Sequence, residues 1–254
     1  MRFALKLEYD GTGFVGWQRQ DNGVSIQEVL ERAAAALNGG SIPSAVVAGR
    51  TDAGVHAEAQ VASIDLPDHL APHTVADALN FHLKPHRVVV LEAAHVTDPD
   101  WHPRFSATER RYRYVILNRR ARPAHDSGFV WHVKQSLDAE AMHTAAQILV
   151  GRHDFSSFRA AACQANSPIR TLSTLTVHRS EQKLVIEVVA RSFLHHQVRN
   201  MVGTLKLIGE GTWPITKMTD ILAARDRTAA GPTAPAEGLT LTAVAYRVDP
   251  FRNC

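Results

Sequence analysis

Ala48-Gly49-Arg50-Thr51-Asp52-Ala53-Gly54-Val55-His56 lies between two short apolar runs, residues 45–48 and 60–66. Both runs read as strands, and the glycines between them supply the backbone freedom that a sharp strand-to-strand connection needs. Asp52 is therefore expected at the tip of a rigidly held loop. Loops positioned by a scaffold are where reacting groups tend to lie, and the guanidinium of Arg50 two residues earlier favours the ionised acid. The plain alternative is a turn aspartate that bonds its own backbone, so the weight of the motif depends on its surroundings.

Working outward, residues 3–9 alternate as a strand. Ser25-Ile26-Gln27-Glu28 is a capping box opening a helix with apolar positions Ile26, Val29, Leu30, Ala33 and Leu37, stopped by Asn38-Gly39-Gly40. Beyond the Asp52 loop the pattern predicts a helix over 72–82 and a strand over 87–96. That is β-α-β-β-α-β. After a polar connector at 97–109 the order repeats: a strand at 110–117, a helix capped near Asp138 and ending at Gly151, and a hairpin of 171–179 with 183–193. Helical residues at 194–208, a short helix near Thr216 and a strand at 239–248 complete it. The expected fold is α+β, two β-α-β-β-α-β halves of the ferredoxin or RNA-recognition kind. They would share a mixed, mainly antiparallel central sheet, with helices on one face and a positively charged cleft. Residues 1–107 would carry the Asp52 loop; residues 108–254 would carry the tyrosine strand, the arginine helix and the basic segment.

A chain of 254 residues with 45% hydrophobic residues can bury a substantial core. Its formal charge of +3 only mildly favours a polyanionic partner, but the distribution says more. Between Arg104 and Arg122 seven arginines face the single acid Glu109, giving this segment +6. Interleaved with Tyr112 and Tyr114, so dense a cluster points toward nucleic acid rather than an idle solvated face. Cys163 and Cys254 are too few and too far apart for a disulfide framework, and no Cys-x-x-Cys pair exists, which fits a reducing cytoplasm. The N-terminus is broken by charge too often for the apolar core of a signal peptide, and no window of eighteen apolar residues occurs.

Three motifs invite other chemistry. Gly11-Thr12-Gly13-Phe14-Val15-Gly16 matches the dinucleotide-binding glycine pattern after a strand, but no helix starts at once and no acid ends the next strand. His195-His196, with His56 and Glu58, resembles a ligand set, yet no acid stands at helical spacing from the pair, so no metal is expected. Cys163 has no nearby base and reads as inert filling. The helix after Leu194 is more informative: Leu194, Val198, Met201, Leu205 and Ile208 form an apolar face, with His195, Arg199 and Lys206 along its edge. Arg199 either snorkels to water or pairs with Asp52, and periodicity does not choose.

Together with that loop, Gly16-Trp17-Gln18-Arg19-Gln20, Arg104-Phe105-Ser106-Ala107, Arg111-Tyr112-Arg113-Tyr114, Asp154-Phe155-Ser156-Ser157-Phe158, His195-His196-Gln197-Val198-Arg199-Asn200 and Ala236-Glu237-Gly238-Leu239 run in order along nearly the whole chain. In this the chain resembles the TruA family of tRNA pseudouridine synthases. Residues 83–87, Leu-Lys-Pro-His-Arg, depart from the usual pattern after the second helix. The resemblance implies isomerisation of uridines 38, 39 and 40 in the anticodon stem-loop of tRNA, by a cytoplasmic homodimer without metal or organic cofactor. It implies Asp52 as the reacting carboxylate, Tyr112 stacking on the target base, Arg199 pairing with Asp52 and Leu239 packing on the uracil. Arg50 would fill the space of the flipped nucleotide, and His195, Arg104, Arg111 and Arg113 would contact RNA. Two readings of other classes compete: a non-catalytic RNA-binding protein, for which Asp52 is dispensable, and an RNA hydrolase using Asp52 with histidines.

Overall fold

The computed structural model describes residues 1–252; Cys254 lies outside the described residues. Among the described residues ten strands and five α-helices follow one another. The first part contains β1 (Arg2–Tyr9), α1 (Ile26–Ala35), β2 (Val46–Val47), β3 (His56–Asp65), α2 (Pro72–His82) and β4 (Val88–His95). Then come β5 (Ala107–Asn118), β6 (Trp131–Val133), α3 (Ala139–Gln147), β7 (Gly151–Asp154), β8 (Ile169–Ser180), β9 (Lys183–Ala190), α4 (Gln197–Gly209), α5 (Lys217–Ala224) and β10 (Leu239–Tyr246). The chain divides into two compact units, Met1–Arg110 joined by the residues from Thr240 onward, and Arg111–Leu239.

In the first unit hydrogen bonds link the strands in the order β4-β1-β3-β10, with β2 on β3. β1 pairs antiparallel with β3 and β4, β2 is antiparallel to β3, and β10 runs parallel to β3 through Thr240 opposite His56 and Leu241 opposite Ala57. Burial of Phe3, Leu5, Leu7 and Tyr9 makes β1 the strand around which this core forms. The Ser25 half of the capping box forms, with Ser25 Oγ accepting from the Glu28 N–H while the Glu28 carboxylate pairs with Arg32, and α1 buries Ile26, Val29, Leu30 and Ala33. Its Glu31, only 5% exposed, accepts the Ala45 N–H ahead of β2 and pairs with Arg19. β4 ends the strand order, and α2 packs on it and supplies Asn80, whose carboxamide both accepts the Val90 N–H and donates to the Val90 carbonyl. Backbone groups on a terminal strand are thereby satisfied by a side chain.

In the second unit the order is β5-β9-β8-β7, with β6 on β5. β7–β8 and β8–β9 are antiparallel and β5–β6 is parallel, so the protein is α+β with mixed, mainly antiparallel pairing, as the sequence pattern predicts. α3, capped by Asp138, packs on β8 and α4. Two strands escape sequence reading. β6 has three residues, and β7 is the polar run Gly151-Arg152-His153-Asp154, a strand only because it pairs with β8. Boundaries also move: β3 starts at His56 rather than 60, and α4 starts at Gln197, because His196 adopts the left-handed conformation (φ 61°) that ends the preceding turn.

The segment at 231–234 lies directly on α4. A Cβ on Gly203 would stand 1.7 Å from the Pro232 carbonyl oxygen, and one on Gly231 would stand 2.9 Å from the Thr204 Cα. Thr204 Oγ1 accepts the Gly231 N–H, and Thr233 Oγ1 donates to Asn200 Oδ1. Because backbone meets backbone at Gly203, no flexible side chain can yield. We expect Gly203→Ala to lower stability by about 3 kcal/mol, against ~1 kcal/mol for removing the helix cap in Asp138→Ala. Urea midpoints for the two variants test that order.

Candidate active site

Asp52 sits half-buried in a loop whose backbone is fastened at Ala48, Gly49, Thr51, Asp52 and Val55, all within the first unit. Ala48 donates its N–H to the Val61 carbonyl, and its own carbonyl accepts Arg110 Nη2 at 2.6 Å. The Gly49 carbonyl accepts Gln60 Nε2 at 2.8 Å. The Thr51 hydroxyl lies 2.8 Å from the Tyr9 hydroxyl, and the Thr51 carbonyl accepts the Trp17 N–H at 3.0 Å. Val55 N–H closes a turn on the Asp52 carbonyl, with Gly54 in the left-handed conformation (φ 77°) that side chains disfavour. The acid therefore has a fixed backbone, and its side chain starts from a fixed point. Arg50 is exposed on the same loop.

The glycines that mimic a dinucleotide motif have another purpose. A Cβ on Gly11 would stand 2.2 Å from the Val55 carbonyl oxygen, and one on Gly16 would stand 2.8 Å from that of Thr51. These two residues let the turn after β1 touch the Asp52 loop from both ends. Gly11 N–H also donates to His56 Nδ1 at 3.1 Å, and the same nitrogen lies 3.1 Å from Asp10 Oδ1. Arg87 pairs with the other Asp10 oxygen. Burial of Asp10 opposes its ionisation, but the Thr12 N–H and hydroxyl, then Arg87 and His56, outweigh it and hold the carboxyl below its ordinary range.

The remaining residues singled out in the sequence divide between the units. Arg104 is exposed in the first unit, and its carbonyl accepts the same Arg110 Nη2 that holds Ala48. Arg110 itself corrects the expectation that the whole arginine block faces RNA. It is 6% exposed and spends its guanidinium on backbone carbonyls, because it falls on an inward register of β5. In the second unit Arg111, Tyr112 and Arg113 are consecutive on β5. Arg111 is exposed, and Tyr112 is half-buried edge-on to Phe193, with centroids 5.3 Å apart. Arg199 is half-buried near the start of α4, with Nε donating to the Ala234 carbonyl at 2.8 Å while its own carbonyl accepts the Ala234 N–H. Leu239 is buried at the start of β10. Just before it, Gly238 lies so close to Tyr114 that a Cβ would stand 2.6 Å from the Tyr114 Cζ; the Tyr114 hydroxyl donates to the Pro235 carbonyl.

His195 is exposed and its ring lies tilted at 45° against that of His196, with ring centroids 4.0 Å apart. Its N–H donates to Cys163 Sγ, and its carbonyl accepts the Ala160 N–H, so Cys163 is part of what seats this turn. Burial opposes ionisation of that thiol, but the Ala165 and His195 N–H groups and Arg159 hold it below its ordinary value.

The sequence profile of tRNA pseudouridine synthases matches residues 6–106 and 145–247. The tRNA pseudouridine synthase A of Acidiphilium cryptum (strain JF-5) is 67% identical over 250 residues, covering 98% of each chain. That of Rhodospirillum centenum (strain ATCC 51521 / SW) is 59% identical over 245 residues, covering 96% of this chain and 99% of its own. That of Gluconobacter oxydans (strain 621H) is 55% identical over 254 residues, covering 99% and 92%. The chain belongs to the tRNA pseudouridine synthase family.

Within this pseudouridine synthase family member, Arg50, Asp52, Arg104, His195, Arg199 and Leu239 fall inside the profile-matched segments, whereas Arg111, Tyr112 and Arg113 lie in the span between them. Tyr9 and Gln60, which brace the Asp52 loop, carry no chemical signature in sequence; each is one polar residue in a strand. The depressed Asp10 carboxyl has a pH consequence. Its contribution to stability is complete above the ordinary carboxylate pKa of about 4 and is lost as pH falls through that range toward the folded value. We expect the urea midpoint of the native protein to fall more steeply between about pH 5 and pH 3 than that of Asp10→Asn.

Proposed function

We propose that this protein isomerises uridines 38, 39 and 40 in the anticodon stem-loop of tRNA to pseudouridine, with Asp52 as the reacting carboxylate. The observation that carries the reading is the placement of Asp52, in a chain of this family, on a loop pinned by buried hydrogen bonds at Gly49 and Thr51 and cleared by Gly11 and Gly16. In the reaction the bond from ribose C1′ to N1 breaks, the uracil turns, and C1′ bonds to C5. The C5 proton goes to solvent and N1 takes up a proton, so the reaction is redox-neutral. A carboxylate suits it as a covalent or basic group, provided it is held still and the freed base is retained.

The other roles follow from the same reading. Tyr112 stacks on the extruded base, Leu239 packs against it, and Arg199 pairs with Asp52 and keeps it ionised. Arg50 takes the space the flipped nucleotide leaves. Arg104, Arg111, Arg113 and His195 contact the RNA backbone, so that charge provides affinity and RNA shape selects the target. The protein works as a cytoplasmic homodimer and uses neither metal nor organic cofactor. None of its described helices is long and apolar enough to cross a membrane.

The test is release of tritium from tRNA labelled at uridine C5, followed with strand integrity and tRNA binding. Asp52→Asn and Asp52→Ala are expected to abolish release, a loss of at least about a thousandfold, while tRNA affinity stays within about threefold. Strand cleavage would instead mark a hydrolase, and binding without release by the native protein would mark a passive RNA-binding protein. Arg111→Ala is expected to weaken tRNA binding and to reduce the slope of log affinity against log salt by about 1; titrations across salt concentrations measure both.

A further inference from the structure

Beneath the Asp52 loop runs a chain of three buried polar side chains: Gln60 at 0% exposure, Tyr9 at 3% and Thr51 at 6%. Its direction can be derived. Gln60 Oε1 accepts the Val61 N–H at 3.1 Å, which assigns the oxygen end of the carboxamide. Gln60 Nε2 must then face the other two partners, the Gly49 carbonyl at 2.8 Å and the Tyr9 hydroxyl oxygen at 3.2 Å, and both its hydrogens are used. Tyr9 accepts from Gln60, so its own proton is directed to Thr51 Oγ1, 2.8 Å away. One carboxamide thus holds the carbonyl of Gly49 directly and the side chain of Thr51 through the phenol, gripping the loop on both sides of Arg50. Trp17, 1% exposed and with its ring centroid 6.2 Å from that of Tyr9, covers the phenol, and the Trp17 N–H holds the Thr51 carbonyl.

Burial also pushes the Tyr9 phenol up to about 12, so it stays protonated and donating at every working pH. It is a fixed strut and not a base. The residue adjacent to Asp52 has its hydroxyl and its carbonyl held from below, in water-excluded surroundings where a displaced partner has nothing to replace it.

We propose that Tyr9 and Gln60 are positioning residues for Asp52, acting through Thr51 and Gly49, and that they set the turnover step of the reaction and not the binding of RNA. The inference rests on the assignment of Asp52 as the reacting group. Catalytic geometry tolerates little error, since a displacement on the order of 1 Å costs about a hundredfold in rate. Loss of one strut from a loop still held by Trp17 and Arg110 is expected to cost less, about tenfold.

The experiment measures kcat, KM and tRNA affinity by tritium release and filter binding for Tyr9→Phe, Thr51→Val and Thr51→Ser, with folding checked by thermal melting and Asp52→Asn as control. Tyr9→Phe and Thr51→Val remove the same hydrogen bond from opposite ends. Each should lower kcat about tenfold with affinity for tRNA within twofold, and the double variant should lose no more than the worse single one. Thr51→Ser keeps the hydroxyl and should retain kcat within about twofold, a rescue that simple loss of packing would not produce. Thr51→Val reads the same bond if Tyr9→Phe fails to fold. Native kcat in a folded Tyr9→Phe or Thr51→Val, or a loss confined to tRNA affinity, would overturn the positioning role while an inactive Asp52→Asn left the Asp52 assignment intact. An active Asp52→Asn would instead sink that assignment and the inference with it.

Discussion

Residues Gly11 and Gly16 bring the turn after β1 so close to residues 51–55 that the backbone carbonyls of Thr51 and Val55 occupy the space where side chains would otherwise begin. That contact is the constraint on which the geometry of the Asp52 loop depends. It brings the Trp17 N–H to the Thr51 carbonyl and the Gly11 N–H to the His56 imidazole, so one end of the Asp52 loop is fastened through main chain and the other through a buried side chain. These contacts leave the loop backbone little freedom, so under the role we propose for Asp52 the cost of ordering it is met during folding.

The buried side chains finish what the backbone starts. Gln60, Tyr9 and Arg110 would be costly in a core if their polar atoms lacked partners, yet each ends on a carbonyl or hydroxyl of the segment at 48–51. Desolvation makes this arrangement all-or-none. A loop that drifted would strand several buried donors at once, which is a steeper restoring force than the same bonds would give in water.

The second unit uses the same device. Gly203 lets the Pro232 carbonyl reach the α4 backbone, and Gly238 lets the chain pass across Tyr114. The result fixes Arg199, bonded through both its side chain and its carbonyl to Ala234, and delivers Leu239 at the start of β10. In both units a glycine marks close passage of a second segment, and a residue to which we assign a role stands within a few residues of that passage.

Much of this was legible from residues alone. The capping box at Ser25, the helix at Pro72–His82, the β8–β9 hairpin and the apolar stripe of α4 follow from propensity and periodicity, which are properties of neighbouring residues. The α+β class and the order of the other elements came from the same source, whereas the choice of Asp52 rested on its loop together with the motifs that resemble the family. The tertiary structure alone decided that β6 and β7 are strands, that His56 opens β3, that Arg110 is buried structure, and that Tyr9 and Gln60 lie under the loop. These depend on partners 11 or more positions away along the chain, as in Gln60 with Gly49, Arg110 with Ala48 and His56 with Thr240. A linear pattern records what each residue is; which distant carbonyl it meets is decided by the sheet that brings the segments together.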